Sequence, residues 1–228
     1  MTSKFPTRLL ASIEVPDTPL ITKAIAYARE NSDDFTFNHV MRSWLFGERV
    51  AAANPALKDR DQEVHAISAI LQDLGWSFNQ QLISKDKRFE VDGANAARAF
   101  LIQEGEKSKW DKHRLQLVWD TIALHAIPSI WMYKEIEAQA ASTGIFVDFQ
   151  GPEKSPGGVL TRIEWDSVNK EFPLLNFREA VKNISCGFCL TKPDTTYDSF
   201  PREFGEAFVP GYKPRTFIET VWQGAEDN

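Results

Sequence analysis

Cysteine is close to absent from this 228-residue chain: Cys186 and Cys189 are the only two. Two thiols cannot supply the disulfide framework of a small secreted domain. Long apolar runs are missing as well, and none approaches the roughly 20 residues that a bilayer-spanning helix needs. The stretch MTSKFPTRLLASIEVPD carries too short an apolar patch for a secretory signal, so a cytoplasmic protein without a membrane partner is expected. Positive charge is not in excess: 26 Lys and Arg stand against 32 Asp and Glu, a net charge of −6. Such a chain lacks the electrostatic footprint of a general nucleic-acid binder. Glycine-rich phosphate loops, H-E-x-x-H pairs and nucleophile elbows do not occur.

What is present suits a folded chain, since 43% apolar and 12% aromatic residues are too many for disorder. A chain of this size buries one sizeable core. A single domain over residues 1–228 is expected, with a helical body at about 18–150 and a wrapping segment at about 151–228. Thr18 before Pro19 reads as an N-cap followed by proline at the first helical position, opening a helix to about Glu30. A second helix is predicted over 36–53, with Val40, Trp44 and Ala51 on its apolar side and Asn54-Pro55 ending it. A third is predicted over 61–74, where Val64, Ile67, Leu71 and Leu74 recur at helical spacing and Gly75 acts as the stop.

The polar stretch from 76 to 92 reads as a long loop, of the kind that is functional or disordered. Gly93 to Leu101 is rich in small residues that let a helix approach its neighbour. Trp110 to His125 reads as a fifth helix broken by Pro128, and Ile130 to Ser142 as a sixth closed by Gly144. Thr161 and Glu164 have capping-box spacing and open a short helix to about Lys170. Beyond it, short helical pieces alternate with Pro- and Gly-rich connections. No alternating strand pattern emerges, so the fold class expected is all-α with an irregular C-terminal third.

Only four histidines are available for chemistry: His39, His65, His113 and His125. His125 shares a helix face with Val118 and Ile122 and is expected to point inward, where a single imidazole is ordinarily a core residue. His65 and Gln72 share a face but stand about 10 Å apart along the axis, too far for one ion with Zn–N bonds of about 2 Å. His65 is expected to pair with Asp61, and His113 to be solvated. Cys186-Gly-Phe-Cys189 is half a zinc set and lacks the strand–helix setting of a redox motif, so both cysteines read as structural.

Six segments in order carry a resemblance. They are NHVMRSWLFG (Asn38 to Gly47), AILQDLGW (Ala69 to Trp76), DKRFEVDGA (Asp86 to Ala94), VWDTIALH (Val118 to His125), GIFVDF (Gly144 to Phe149) and KPDTTYD (Lys192 to Asp198). Together they resemble the fungal cyanamide-hydratase-like branch of the His-Asp (HD) superfamily, over roughly residues 20–215. The resemblance implies a helical fold with a divalent metal, zinc or iron, held in an H…HD…D pattern. It implies His39, Asp73 and Asp148 as metal ligands. It departs at Gln72, where the family has the His of the His-Asp pair. A carboxamide oxygen is a weak donor beside an imidazole, so retention of the metal is in question.

Three functional expectations follow. The first is a cyanamide-hydratase-like hydratase or hydrolase acting on a small molecule through metal-activated water with a weakened metal site. The second is a metal-free enzyme in which Gln72 binds substrate while His125 and a carboxylate, Asp73 or Asp148, move protons. The third is a non-catalytic binding protein. Phosphohydrolysis ranks lower, because Asp86 and Glu90 interleave with Lys85, Lys87 and Arg88. Trp44, Phe46, Trp76, Phe78 and Trp131 suit either an apolar pocket or plain core packing. The partner expected is a small-molecule substrate, and the irregular C-terminal third leaves surface for a homo-oligomer.

Overall fold

The structure is a computed structural model that describes residues 5–222. Its first elements correct the expectation of no strands. β1 (Thr7–Leu10) pairs antiparallel with β2 (Ile13–Pro16), with Leu10 opposite Ile13 and Thr7 opposite Pro16. The two-residue turn is Ala11-Ser12, and both residues have positive φ. Asn-Gly is the usual signal for that turn, so Ala-Ser hides the hairpin. Ile13 and Val15 are buried while Glu14 faces outward, which gives β2 its alternation.

Thr18 caps α1 (Pro19–Asn31) by accepting from the Ile21 N–H, as its sequence predicts. Asp33 does the same for α2 (Asp34–Ala53) through Thr36 N–H, two residues ahead of the predicted start. Asp61 caps α3 (Gln62–Leu71) by accepting from the N–H groups of Glu63 and Val64. α3 ends earlier than its apolar spacing suggests. The chain leaves it at Gln72-Asp73 and enters a short 3₁₀ turn, Leu74–Trp76.

α4 (Phe89–Glu104) begins four residues before the predicted start, inside the expected loop. A Cβ on Gly75 would lie 1.9 Å from the Phe89 carbonyl oxygen, so only glycine lets the 3₁₀ turn and the start of α4 meet. α5 (Lys112–Leu124) and α6 (Pro128–Trp131) follow. α7 (Ile136–Gln150) corrects the expected helix over 130–142. It starts later, and Gly144 lies in its interior rather than at its end. A Cβ on Gly144 would come within 2.1 Å of the Ser43 carbonyl oxygen, because α7 runs closely along α2 at that point.

The chain divides into two compact units. One holds residues 5–83 and Phe89–Leu175. The other holds Ser84–Arg88 and residues 176–222. In the first, α3 packs against α2, α5 and α7 around a core that includes Trp44, Leu45, Phe46, Ile67, Ile70 and Ile122. The capping box of Thr161 and Glu164 opens α8 (Arg162–Glu171), whose Trp165 stacks on Phe46.

In the second unit, α9 (Phe177–Thr191) is longer than the pieces expected there and packs on α10 (Pro201–Phe208); α11 (Phe217–Trp222) follows. Cys186 and Cys189 are unbonded thiols on α9, their sulfurs facing the carbonyls of Phe204 and Pro201. Lys87 pairs with Asp86, and Arg88 with Asp198, making this a mixed ionic loop. Among the described residues, no helix is long and apolar enough to cross a membrane.

Candidate active site

Four elements of the first unit bring the sequence-predicted residues together. His39 comes from the first half of α2, Gln72 and Asp73 from the point where α3 breaks, His125 from the C-cap of α5, and Asp148 from the last turn of α7. All five side chains are buried, His39 and Asp73 to 1% exposure. His39 Nε2 stands 3.4 Å from Asp73 Oδ2 and 3.4 Å from Gln72 Nε2. His125 Nε2 stands 3.9 Å from Asp73 Oδ1. Asp73 therefore lies between two imidazoles, yet neither of its oxygens makes a hydrogen bond, and neither does Gln72 Oε1. Buried polar atoms left without partners mark a place where a bound molecule or a catalytic role supplies what is missing.

Asp148 is bonded on both oxygens by neighbours that the resemblance does not name. Arg42 lies one turn after His39 on α2 and grips Asp148 with two bonds, Nε to Oδ1 at 2.6 Å and Nη2 to Oδ2 at 2.8 Å. The third bond to this carboxylate comes from His39 Nδ1, 2.7 Å from Oδ2. Burial alone would raise the Asp148 carboxyl, but the bonds from His39 and Arg42 outweigh it and hold the group below the usual carboxylate range. An ionised Asp148 accepts only, so His39 Nδ1 carries a proton and Nε2 faces Gln72 and Asp73. His125 is set the same way, because its Nδ1 is 2.7 Å from the Ile122 carbonyl, which also accepts only. Both imidazoles thus turn Nε2 toward Asp73. Burial pushes the Asp73 carboxyl up, and nearby Glu90 adds to this; the opposing pull of His39 and His125 is smaller.

The donor set does not fit the metal that the resemblance implies. Both oxygens of Asp148 are taken by Arg42 and His39, and position 72 offers a weak carboxamide oxygen. That leaves His39 and His125 on different oxygens of Asp73, not a set closed around one point. Among the described residues, no group of three His, Cys, Asp or Glu side chains is arranged to hold a metal.

Aromatic rings enclose the centre. Trp76 stacks on His39 at 5.9 Å, Phe35 lies nearly parallel to it at 6.4 Å, and Phe149 meets its edge at 5.3 Å. Phe89 packs edge-on to His125. Of the aromatics weighed from sequence, only Trp76 belongs here. Trp44 and Phe46 are core, Phe78 is exposed, and Trp131 packs on Phe146. Arg42, bonded to Asp148, and Glu90, whose charge acts on Asp73, were not singled out from the sequence. Arg42 stands in the NHVMRSW segment without a role legible from spacing, and buried Glu90 falls where a solvated loop is expected.

His113 is exposed, as expected. His65 does not pair with Asp61. It receives a hydrogen bond from Arg60 Nε at 3.0 Å and lies 3.2 Å from Glu48, while Asp61 caps α3 and holds Arg114. The fold and site together describe an all-α chain with a buried pair of imidazoles around one carboxyl. No family model matches the chain, and no curated protein does.

Proposed function

We propose that this chain is an enzyme of HD-like architecture that moves protons on a small uncharged substrate by general acid–base catalysis, without a metal at its centre. The observation that carries the reading is that His39 and His125 both turn Nε2 toward Asp73, whose oxygens make no hydrogen bond. One proton shared among these groups is the equipment for removing a substrate proton at one atom and returning one at another, as in a lyase or isomerase. Gln72 Oε1 is placed to accept from a substrate hydroxyl or amide. An uncharged substrate suits the electrostatics: Arg42 commits Nε and both terminal nitrogens to Asp148 and to the carbonyls of Phe172 and Pro173, with its side chain fully buried. The rings of Phe35, Trp76, Phe89 and Phe149 favour an apolar or aromatic body.

The test is proton exchange in D₂O, followed by NMR, on a panel of small ketones, hydroxycarbonyls and cyanamide, with and without excess chelator. Turnover or exchange should survive chelation and fall by about 10²-fold or more in Asp73→Asn. Activity abolished by chelation and restored by zinc or iron, above all conversion of cyanamide to urea, would overturn the reading in favour of metal-assisted water addition.

A further inference from the structure

The candidate active site is shut. His39 and Asp73 are each 1% exposed and His125 is 5% exposed, so a small molecule reaches them only if part of the wall moves. Four rings contribute to that wall, and they differ in how readily each can give way. Phe35 and Phe89 are buried, and Trp76 packs on both, at ring distances of 6.5 and 5.6 Å. Displacing any one of these three disturbs its neighbours and the core beneath them. Phe149 is different. It is 43% exposed, yet its ring meets the His39 imidazole edge-on at 5.3 Å. At Phe149 the wall between solvent and His39 is one side chain thick.

The backbone on either side of that ring is fixed. Asp148, immediately before it, is held by three bonds from Arg42 and His39. Two residues after it, the Gly151 N–H closes α7 on the Val147 carbonyl at 2.9 Å. Motion is thereby confined to the Phe149 side chain, and exposed side chains change rotamer on the picosecond-to-nanosecond scale.

We propose that the Phe149 ring is the gate through which small molecules reach His39, and that its swing sets the largest substrate the centre admits. The size limit rests on the acid–base reading above, whereas the route rests on geometry alone. An apolar gate suits an uncharged substrate, because a charged one would give up its water against a phenyl ring.

Diethyl pyrocarbonate labelling of the full chain at pH 8, resolved by peptide mass mapping, tests the route without a substrate. The reagent transfers an ethoxycarbonyl group to an imidazole nitrogen and releases ethanol and carbon dioxide. The four histidines supply the controls: His113 is exposed and should label fast in every form, while fully buried His65 should label only if the fold loosens. Phe149→Ala should raise the His39 rate at least tenfold with His65 and His113 unchanged. Phe149→Trp keeps an apolar ring in place and should bring the His39 rate below that of the natural chain. Phe78→Ala removes an exposed ring that is not one of those around His39, and should change none of the rates. Equal His39 rates in the natural chain and both Phe149 variants would overturn the gate, as would a rise in Phe78→Ala matching that in Phe149→Ala. A rise at His39 paralleled at His65 would also overturn it, since the fold and not the ring would then control access. None of these outcomes bears on whether the centre moves protons, which the D₂O exchange reads separately.

Discussion

Arg42 holds three acceptors at once, the Asp148 carboxylate and the carbonyls of Phe172 and Pro173, with its own side chain fully buried. Removing the guanidinium leaves Asp148 charged in a dry interior with only the His39 Nδ1–H to satisfy it. Breaking a buried ion pair from one side costs about 3–5 kcal/mol, so Arg42→Met should lose stability on that scale in urea denaturation. A loss below about 1 kcal/mol would mean that the pair carries little of the fold. Gln72 lends itself to the opposite experiment. His39 Nε2 is 3.4 Å from both Gln72 Nε2 and Asp73 Oδ2, close to the edge of a tetrahedron with metal bonds of about 2.1 Å. The spacing suits an ion where the chemistry of the carboxamide does not. Gln72→His supplies the second imidazole and makes a two-histidine, one-carboxylate set with an open position. Elemental analysis after exposure to zinc and gel filtration should rise from under a tenth of an equivalent in the natural chain toward one. No gain would show that something other than residue 72 excludes the metal.

At the scale of elements, the site depends on how closely α2 and α7 approach, because His39 and Asp148 face each other across that contact. Gly144 sits where a Cβ would press on the Ser43 carbonyl at 2.1 Å and on Gly47 N at 2.6 Å, and backbone atoms cannot swing aside. Gly144→Ala should therefore cost at least the about 1–3 kcal/mol typical of overpacking. It should also perturb the proton shared by His39 and Asp148, seen as a shifted downfield imidazole resonance in NMR. An unchanged resonance with unchanged stability would mean that the helices have slack.

This glycine also shows what was legible in the sequence. The helices with strong N-caps, at Thr18 and at Thr161, could be read from local chemistry, because the cap and the N–H it accepts from lie within four residues. Gly144 read as a stop because glycine at a helix end and glycine at a helix crossing look alike in one dimension. The hairpin was hidden by its Ala-Ser turn, and the start of α4 by polar residues that the fold buries. Within the site, His39, Gln72, Asp73, His125 and Asp148 could be singled out through the ordered segments, and they do converge. The pairing of Asp148 with Arg42 and His39 spans more than 100 positions, so no local pattern could have assigned it.

For the whole molecule, the buried ionic groups set how stability varies with pH. His65 is fully buried with Glu48 of α2, Arg60 of the turn before α3 and Glu137 of α7 around it. Burial is the largest influence on the imidazole and drives it below its ordinary value of 6.5; the Arg60 charge adds to this, and the attraction of Glu48 and Glu137 does not cancel it. Burial would raise Glu48, but His65, Arg60 and Trp44 together hold it low, so the cluster is an ionised Glu48 balanced by Arg60 with His65 neutral.

A base whose folded value is depressed binds fewer protons folded than unfolded. Its contribution to stability is complete above pH 6.5 and drains as pH falls toward the folded value, by at most about 1.4 kcal/mol per pH unit. Asp73 acts with the opposite sign: its raised carboxyl costs stability as pH climbs from 3.8 through the folded value. The total profile therefore mixes two slopes, and a difference between variants separates them. His65→Gln keeps a group that can accept from Arg60 and leaves Asp73 untouched. The stability gap between the natural chain and this variant should be widest above pH 7 and narrow by up to about 1 kcal/mol between pH 6.5 and 5.5, measured by urea denaturation at each pH. Parallel profiles across that range would mean that His65 takes up its proton as readily in the folded state as in the unfolded one, and the buried cluster would then have to accommodate a second positive charge beside Arg60.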